Sequence, residues 1–401
     1  MQTRQHDGIA RIFIIAGEHS GDALGAGLMA ALKARSQGEI AFAGVGGERM
    51  AAEGLKSLFP LDDISVMGPM AILRRLPALI TRVYDCVDAC IAAEPDALII
   101  IDAPEFTHPI AKRVRVQLPE MSIIDYVSPS VWAWRPGRAR KMRPYVNHIL
   151  ALLPFEPDAH AKLGGPDCTY VGHPLVERLD WLEQLDPAPL AQRLGLSPDH
   201  TPLVVLPGSR ASEVGRLLGP FGATIDALVA DGRKLDVLIP AVPRLRESIS
   251  TVTATWPVPV HLIDGDPDKW RAFKLARAAL AASGTVTLEL GLAGTPMVVG
   301  YRVDPLASWL RYVVHVPSIV LANLILDSNA FPEFLQEHCV ADQLAPALSE
   351  VLDDGGPRTM QLKELARLKS IMRADGTAPS DRAADVVLTL IGARAAATET
   401  P

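Results

Sequence analysis

Ten short apolar runs, most of them carrying Val or Ile, recur along the chain, and most lead through a polar turn into a longer amphipathic stretch. That alternation is the pattern of βα units, whose strands lie parallel and are buried on both faces. In the first half the runs are 11–16, 40–45, 97–101, 122–127 and 148–152, with helices expected over 24–34, 76–93 and 109–116. The second half restarts the rhythm at 203–206, 236–239, 260–263, 278–281 and 297–299. Between the halves, residues 171–202 are rich in Pro, Asp and Leu and carry no strand pattern, so the junction is expected there. The expected architecture is α/β: two Rossmann-like, doubly wound domains facing a cleft, over residues 1–175 and 176–365. C-terminal helices follow over 366–401, and the pattern leaves open which domain they pack on. Sheets of this kind bind ligands beyond the carboxyl ends of their strands, where strand order reverses.

A chain of 401 residues with 49% hydrophobic and 21% charged residues can bury two cores, which excludes wholesale disorder. A net charge of -7 argues against a general nucleic-acid binder. The apolar run near the N-terminus is too short and too soon interrupted for a signal peptide. No segment reaches the roughly 18 uninterrupted apolar residues that would span a bilayer. Of the four cysteines, Cys86 and Cys90 share a helical face without a third ligand nearby, so they read as core thiols.

Two loops of the second half carry phosphate-binding chemistry. Pro207-Gly208-Ser209-Arg210 follows a strand and precedes a helix, where glycine permits close backbone approach and free helix amides attract an anion. Arg210 adds a fork of donors suited to a diphosphate. Ser283-Gly284-Thr285 repeats the arrangement, and Glu289, one turn later on the same helical face, can accept the hydroxyls of a ribose. Turn-and-cap duty is the plainer role for either loop alone; two in one half favour a ligand. Asn323, Glu333 and Gln336 are polar residues among apolar ones, with Glu333 and Gln336 expected as neighbours on a helix. Buried polar groups need partners, from a ligand or from the protein itself.

In the first half, Glu18, His19, Ser20, Gly21 and Asp22 crowd one turn after the first strand and suit a polyhydroxylated or phosphorylated ligand. Their spacing departs from the dinucleotide fingerprint, which speaks against a dehydrogenase. Asp102 ends the very apolar run 97–101 just before Pro104; a carboxylate desolvated there is a candidate general base, a turn cap the alternative. Ser128, Trp132 and Arg135 lie in a loop with two tryptophans, whose faces can stack on sugars or acyl chains. From Lys112 to Arg143 eight Lys/Arg stand against Glu120 and Asp125, a basic region able to meet anionic lipid or an acceptor phosphate. The apolar segment 65–77, with paired arginines, reads equally as core or as an interfacial segment that grips acyl chains.

The strings AGEHSGDALGAGLMAALK, GVGGERM, IDAPEF, YVSPSVWAWR, LPFE, VGHPL, LPGSRASEV, SGTVTLE, PMVV and PEFLQ stand in an order that resembles the lipid-A-disaccharide synthases, over about residues 12 to 336. The resemblance implies a GT-B fold and a cytoplasmic enzyme, peripheral on the inner membrane of a Gram-negative cell. It implies an inverting transfer from UDP-2,3-diacylglucosamine to 2,3-diacylglucosamine 1-phosphate, giving the β-1,6 disaccharide and UDP, with no cofactor and no metal. It puts the base on Asp102, and the UDP-sugar contacts on Arg210, Ser283, Gly284, Thr285, Glu289, Asn323, Glu333 and Gln336. The acceptor side falls to Glu18, Ser20, Gly21, Asp22, Ser128, Trp132 and Arg135, and a homodimer is conceivable. This chain departs from the family's usual Asp, Asn and His at Glu105, Thr107 and Asp125, residues that bear on acceptor positioning. Two rival functions share the second-half loops: a UDP-sugar 2-epimerase, and a non-catalytic UDP-binding protein.

Overall fold

The computed structural model describes residues 10–36, 40–65, 69–303, 316–373 and 376–398, of which 69–74 and 393–398 as backbone only. Part of the apolar segment 65–77 therefore lies outside the described residues. The chain divides into two compact units, Met1–Pro174 with Asp375–Pro401, and Leu175–Ala374.

The first unit is built on six parallel strands: β1 (Ala10–Ala16), β2 (Ile40–Val45), β3 (Ala97–Ile101), β4 (Ser122–Tyr126), β5 (His148–Ala151) and β6 (Asp167–Tyr170), in the order β2-β1-β3-β4-β5-β6. Alternate residues of the central strands feed two separate cores, as the period of two requires. Phe13, Ile15, Leu98, Ile100 and Ile123 pack with Val83, Val87 and Ile110 from helices Pro69–Ala93 and Pro104–Gln117. Ile12, Ile14, Ile99, Ile101 and Ile124 pack with Leu28 and Leu32 of helix His19–Arg35. Cys86 and Cys90 are fully buried in the first of these cores, and burial pushes both thiols up to about 12.

The second core is completed from the far end of the chain. Ala383, Ala384 and Val387 of helix Pro379–Thr398 are fully buried against it, so this helix belongs to the first unit. Arg35 holds Asp381 and Asp385 of the same helix, and Arg382 Nε donates to Val171 O at 2.9 Å.

The second unit carries β7 (Thr201–Leu206), β8 (Leu235–Pro240), β9 (Val260–Ile263), β10 (Ala278–Ala281), β11 (Met297–Tyr301) and β12 (Glu333–Leu335), all parallel, in the order β12-β11-β10-β7-β8-β9. Leu203, Val205, Val237, Ile239 and Leu280 pack under helices Ala211–Ala230 and Ala341–Leu352.

Each expected strand is present within one or two residues of its place. Two further strands have no counterpart among the expected runs: β6, whose four residues are none of them buried, and the three-residue β12. The expected helical neighbours Glu333 and Gln336 do not share a helix: Gln336 opens a short 3-10 turn, Gln336–His338, after the strand. Glu333 pairs in β12 with Val299, and Gln336 follows the strand with φ 52°. Pairing to β11 outweighs the helical spacing there.

The dependence on the C-terminal helix gives a direct expectation. Val387→Asp puts a charge against β-strand side chains with no partner, and should cost about 3 kcal/mol or more. Urea unfolding of the full chain measures it.

Candidate active site

Strand order reverses once in each sheet. β1 lies between β2 and β3, so the loops that follow β1 and β3 leave the sheet edge in opposite senses and flank a crevice. In the second unit the same relation holds for β7 and β10. The loops at these four strand ends are the ones that carry the polar and glycine-rich motifs.

In the first unit the two loops touch. Gly17 N donates to Ile101 O at 3.0 Å, and a Cβ on Gly17 would lie 2.3 Å from that of Ala103. Any larger residue would separate the loops. Asp102 and Ala103 both take left-handed backbone, at φ 57° and 44°. Such conformations cost of order 1–3 kcal/mol each and persist only when neighbours hold them. Here Asp102 Oδ1 accepts the Ala103 N–H at 2.7 Å, Asp102 N donates to Tyr126 O at 3.2 Å, and Thr107 Oγ1 donates to Asp102 O at 2.9 Å. Asp102 Oδ2 accepts from Ser20 Oγ at 3.3 Å. The strained turn thus aims a half-buried carboxylate out of the strand end. It faces an apolar slot of about 550 Å³, lined by Leu76, Leu79, Ile80, Val83 and Phe106 as well as by Asp102 and Glu18. Gly21 is buried beneath the same turn, close to Ile101.

Several of the expected ligand contacts also hold protein groups. Asp22, 4% exposed, accepts the amides of Gly47, Arg49 and Met50 at 2.7, 3.0 and 3.0 Å, so it anchors the turn after β2. Ser128 Oγ is buried, 2.8 Å from His160 Nε2. Trp132 spends its donor on Glu156 Oε1 at 3.1 Å and its ring edge-on against Phe155 at 5.1 Å. Arg135 remains half-exposed, stacked 4.1 Å from the Trp134 ring centroid. Glu105 reaches Arg138 at 2.6 Å, and Asp125, fully buried, lies 3.2 Å from His108.

In the second unit, paired Leu206 and Ala281 bring the ends of β7 and β10 side by side. Gly208 takes φ 107°, and a Cβ there would meet Glu213 Oε2 at 2.6 Å. Glu213 is a residue the motif reading passed over. It accepts Ser209 N at 3.1 Å and Arg210 N at 3.3 Å, and its other oxygen holds Arg210 Nη1 at 2.9 Å. The Arg210 side chain is nonetheless 62% exposed. Ser283 Oγ donates to Ile319 O at 2.7 Å, while Ile319 N donates to Glu333 Oε2 at 3.0 Å. These two bonds fasten the turn after β10 to β12, leaving Gly284 and Thr285 at the start of helix Thr285–Ala293. Glu289 pairs with Lys269 at 3.0 Å, a cation that no motif marked. Asn323, 2% exposed, exchanges two hydrogen bonds with the Phe331 backbone, and Gln336 Oε1 accepts Val303 N at 3.2 Å. Asn323 and Gln336 therefore shape the loops around the crevice.

Residues 12–383 match the family model described as lipid-A-disaccharide synthetase. The chain is 50% identical over 384 residues to the lipid-A-disaccharide synthase of Rhodopseudomonas palustris (strain HaA2), covering 96% of this chain and 97% of the relative. It is 51% identical over 380 residues to that of Nitrobacter winogradskyi, covering 94% and 95%. Among solved structures it resembles UDP-GlcNAc 2-epimerase from Neisseria meningitidis, with TM-score 0.64, 11% identity and coverage of 94% of this chain and 100% of that one. Acinetobacter baumannii MurG gives TM-score 0.56 at 11% identity, covering 95% and 99%. At such identities these likenesses speak for the fold alone, and they agree with the expected GT-B class.

Beside the Trp132 loop, Glu156 is 3% exposed, and burial pushes its carboxyl up to about 7 against the downward pull of the Leu153 and Trp132 donors. The folded state therefore holds this proton where the unfolded chain, with its ordinary value of 4.5, releases it. Stability contributed by Glu156 is complete below that ordinary value and is lost as pH rises to about 7. Unfolding free energies of the wild type relative to Glu156→Gln should accordingly fall across that window. A difference that is flat with pH contradicts this assignment.

Proposed function

Because the chain belongs to the lipid-A-disaccharide synthase family, we propose that it transfers a diacylglucosaminyl group from UDP-2,3-diacylglucosamine to 2,3-diacylglucosamine 1-phosphate. The products are the β-1,6-linked disaccharide 1-phosphate and UDP. The observation that carries this reading is a carboxylate on a strained strand end, opening onto an apolar slot. Asp102 supplies a base in reach of an acceptor hydroxyl, and the slot walls suit an acyl chain rather than a bare sugar.

The donor is assigned to the second unit. Its diphosphate meets the amides after Gly284 and the exposed Arg210 side chain, with Glu213 holding the first loop in shape through the Ser209 and Arg210 amides. Glu289, oriented by Lys269, accepts ribose hydroxyls. Asp102 takes the proton from the acceptor 6-hydroxyl as that oxygen attacks the anomeric carbon. The bond to the diphosphate breaks on the opposite face, so one displacement inverts the α linkage to β, through an oxocarbenium-like state. The leaving UDP carries the negative charge into the positive field of Arg210 and the loop amides.

Among the described residues no helix is long and apolar enough to cross a membrane. The half-exposed Leu76, Ile80 and Tyr84 at the mouth of the slot support docking on a lipid surface, from which acylated substrates are drawn. We assign that surface to the cytoplasmic face of the inner membrane.

Mass spectrometry of the purified protein with both diacylated substrates should detect the disaccharide 1-phosphate and UDP. With UDP-GlcNAc alone, appearance of an epimer would instead favour the epimerase reading. Asp102→Asn should lower kcat by about two orders of magnitude or more while leaving UDP binding intact. Near-normal turnover of that variant would move the base elsewhere.

A further inference from the structure

On the other side of Pro104, Glu105 and Pro109 from the apolar slot lies a second cavity, of about 500 Å³. Its walls bring together Lys112 from helix Pro104–Gln117 with Arg135, Arg138 and Lys141 from the segment after β4. Four cations face it and one carboxylate, Glu105, which Arg138 already holds at 2.6 Å with Arg135 at 3.8 Å. That ion pair keeps the Glu105 carboxyl below the usual carboxylate range.

The floor is polar. His108, 5% exposed, stands with Nδ1 3.0 Å from Tyr145 Oη, while its Nε2 makes no hydrogen bond, lying 3.2 Å from the buried Asp125 carboxylate. Lys112 Nζ sits 5.0 Å above the Tyr145 ring. A concave pocket with cationic walls and the polar groups of His108 and Tyr145 beneath is suited to a compact dianion, whose oxygens outnumber those of the single carboxylate now bound. A flat cationic patch would suit a membrane surface better.

We propose that this cavity binds the phosphate monoester of the acceptor sugar, so that the acceptor is gripped by its phosphate on one side of the Pro104–Pro109 turn and by an acyl chain on the other. The inference rests on the function proposed above and adds to it a specificity site. The phosphate displaces the Glu105 carboxylate from Arg138, and acceptors lacking a phosphate leave that ion pair intact and bind weakly.

The test is the double variant Lys112→Ala/Lys141→Ala, assayed in detergent with the phosphorylated acceptor and with its dephosphorylated counterpart. KM for the phosphorylated acceptor should rise about tenfold or more, with donor KM and kcat little changed and the preference for phosphate largely abolished. Lys112→Arg/Lys141→Arg should restore most of it, which a merely structural defect would not allow. Unchanged KM for the phosphorylated acceptor overturns the proposal. So does a loss confined to binding of phosphatidylglycerol vesicles, which would make the cations a membrane contact. Binding of soluble glucosamine 1-phosphate, followed by phosphorus NMR, separates the two levels of the argument. Binding by an otherwise inactive wild type, lost in the alanine variant, would uphold the pocket and sink the transferase reading; absence of binding, with acceptor KM unmoved, sinks the pocket alone.

Discussion

The near-contact of Gly17 with Ala103 governs the first unit's chemistry. With no side chain at 17, the loop after β1 lies flat against the loop after β3, and its amide closes on Ile101 O. Two consecutive left-handed residues, neither of them glycine, can then be held at the end of β3. Asp tolerates that conformation because its short side chain bonds the next amide, as Oδ1 does with Ala103 N. The second oxygen is left to Ser20 and to whatever enters the slot. The carboxylate is positioned by backbone strain, which the six-stranded parallel sheet behind it sustains.

A different device produces the equivalent rigidity in the second unit. There Glu213, one turn into helix Ala211–Ala230, binds back to the amides of Ser209 and Arg210 and to the Arg210 guanidinium. Glycine at 208 is required because that carboxylate occupies the place of a Cβ. The arginine is thereby oriented without being buried, which keeps its charge available to an anion. Ser283, Ile319 and Glu333 do the corresponding work for the neighbouring loop through a relay of backbone groups.

This difference between pointing and supporting side chains explains what could be read from the chain alone. Strands, their order of appearance and the four loops at the reversals were legible, because buried parallel strands leave apolar runs and their ends leave glycines, prolines and acids. Which polar residue faces a ligand was not. Asp22 and Asn323 have the composition of ligand contacts, yet both are nearly fully buried and hydrogen-bonded to backbone groups of other loops. Lys269 and Glu213 escaped notice because a charged residue on an amphipathic helix looks like solvent-facing ornament until its partner is known. β12 was illegible for a related reason: three residues at a sheet edge carry too few side chains to display a period.

The turn from Pro104 to Pro109 joins these lines of argument. It begins beside the strained Asp102, its apolar residues close one side of the slot, and its polar residues Glu105 and His108 line the cationic cavity. An acceptor recognised at two points across one rigid turn has little freedom left at the hydroxyl between them, and the entropy of orienting it is spent in binding rather than in the reaction step. Thr107 shows why the turn must be stiff for this to work. Its hydroxyl caps the carbonyls of Asp102 and Ala103, so a residue one turn into the helix also holds Asp102 in its strained conformation. Movement of the helix is therefore movement of the Asp102 carboxylate, and the proposed recognition and proton abstraction are mechanically coupled through this segment.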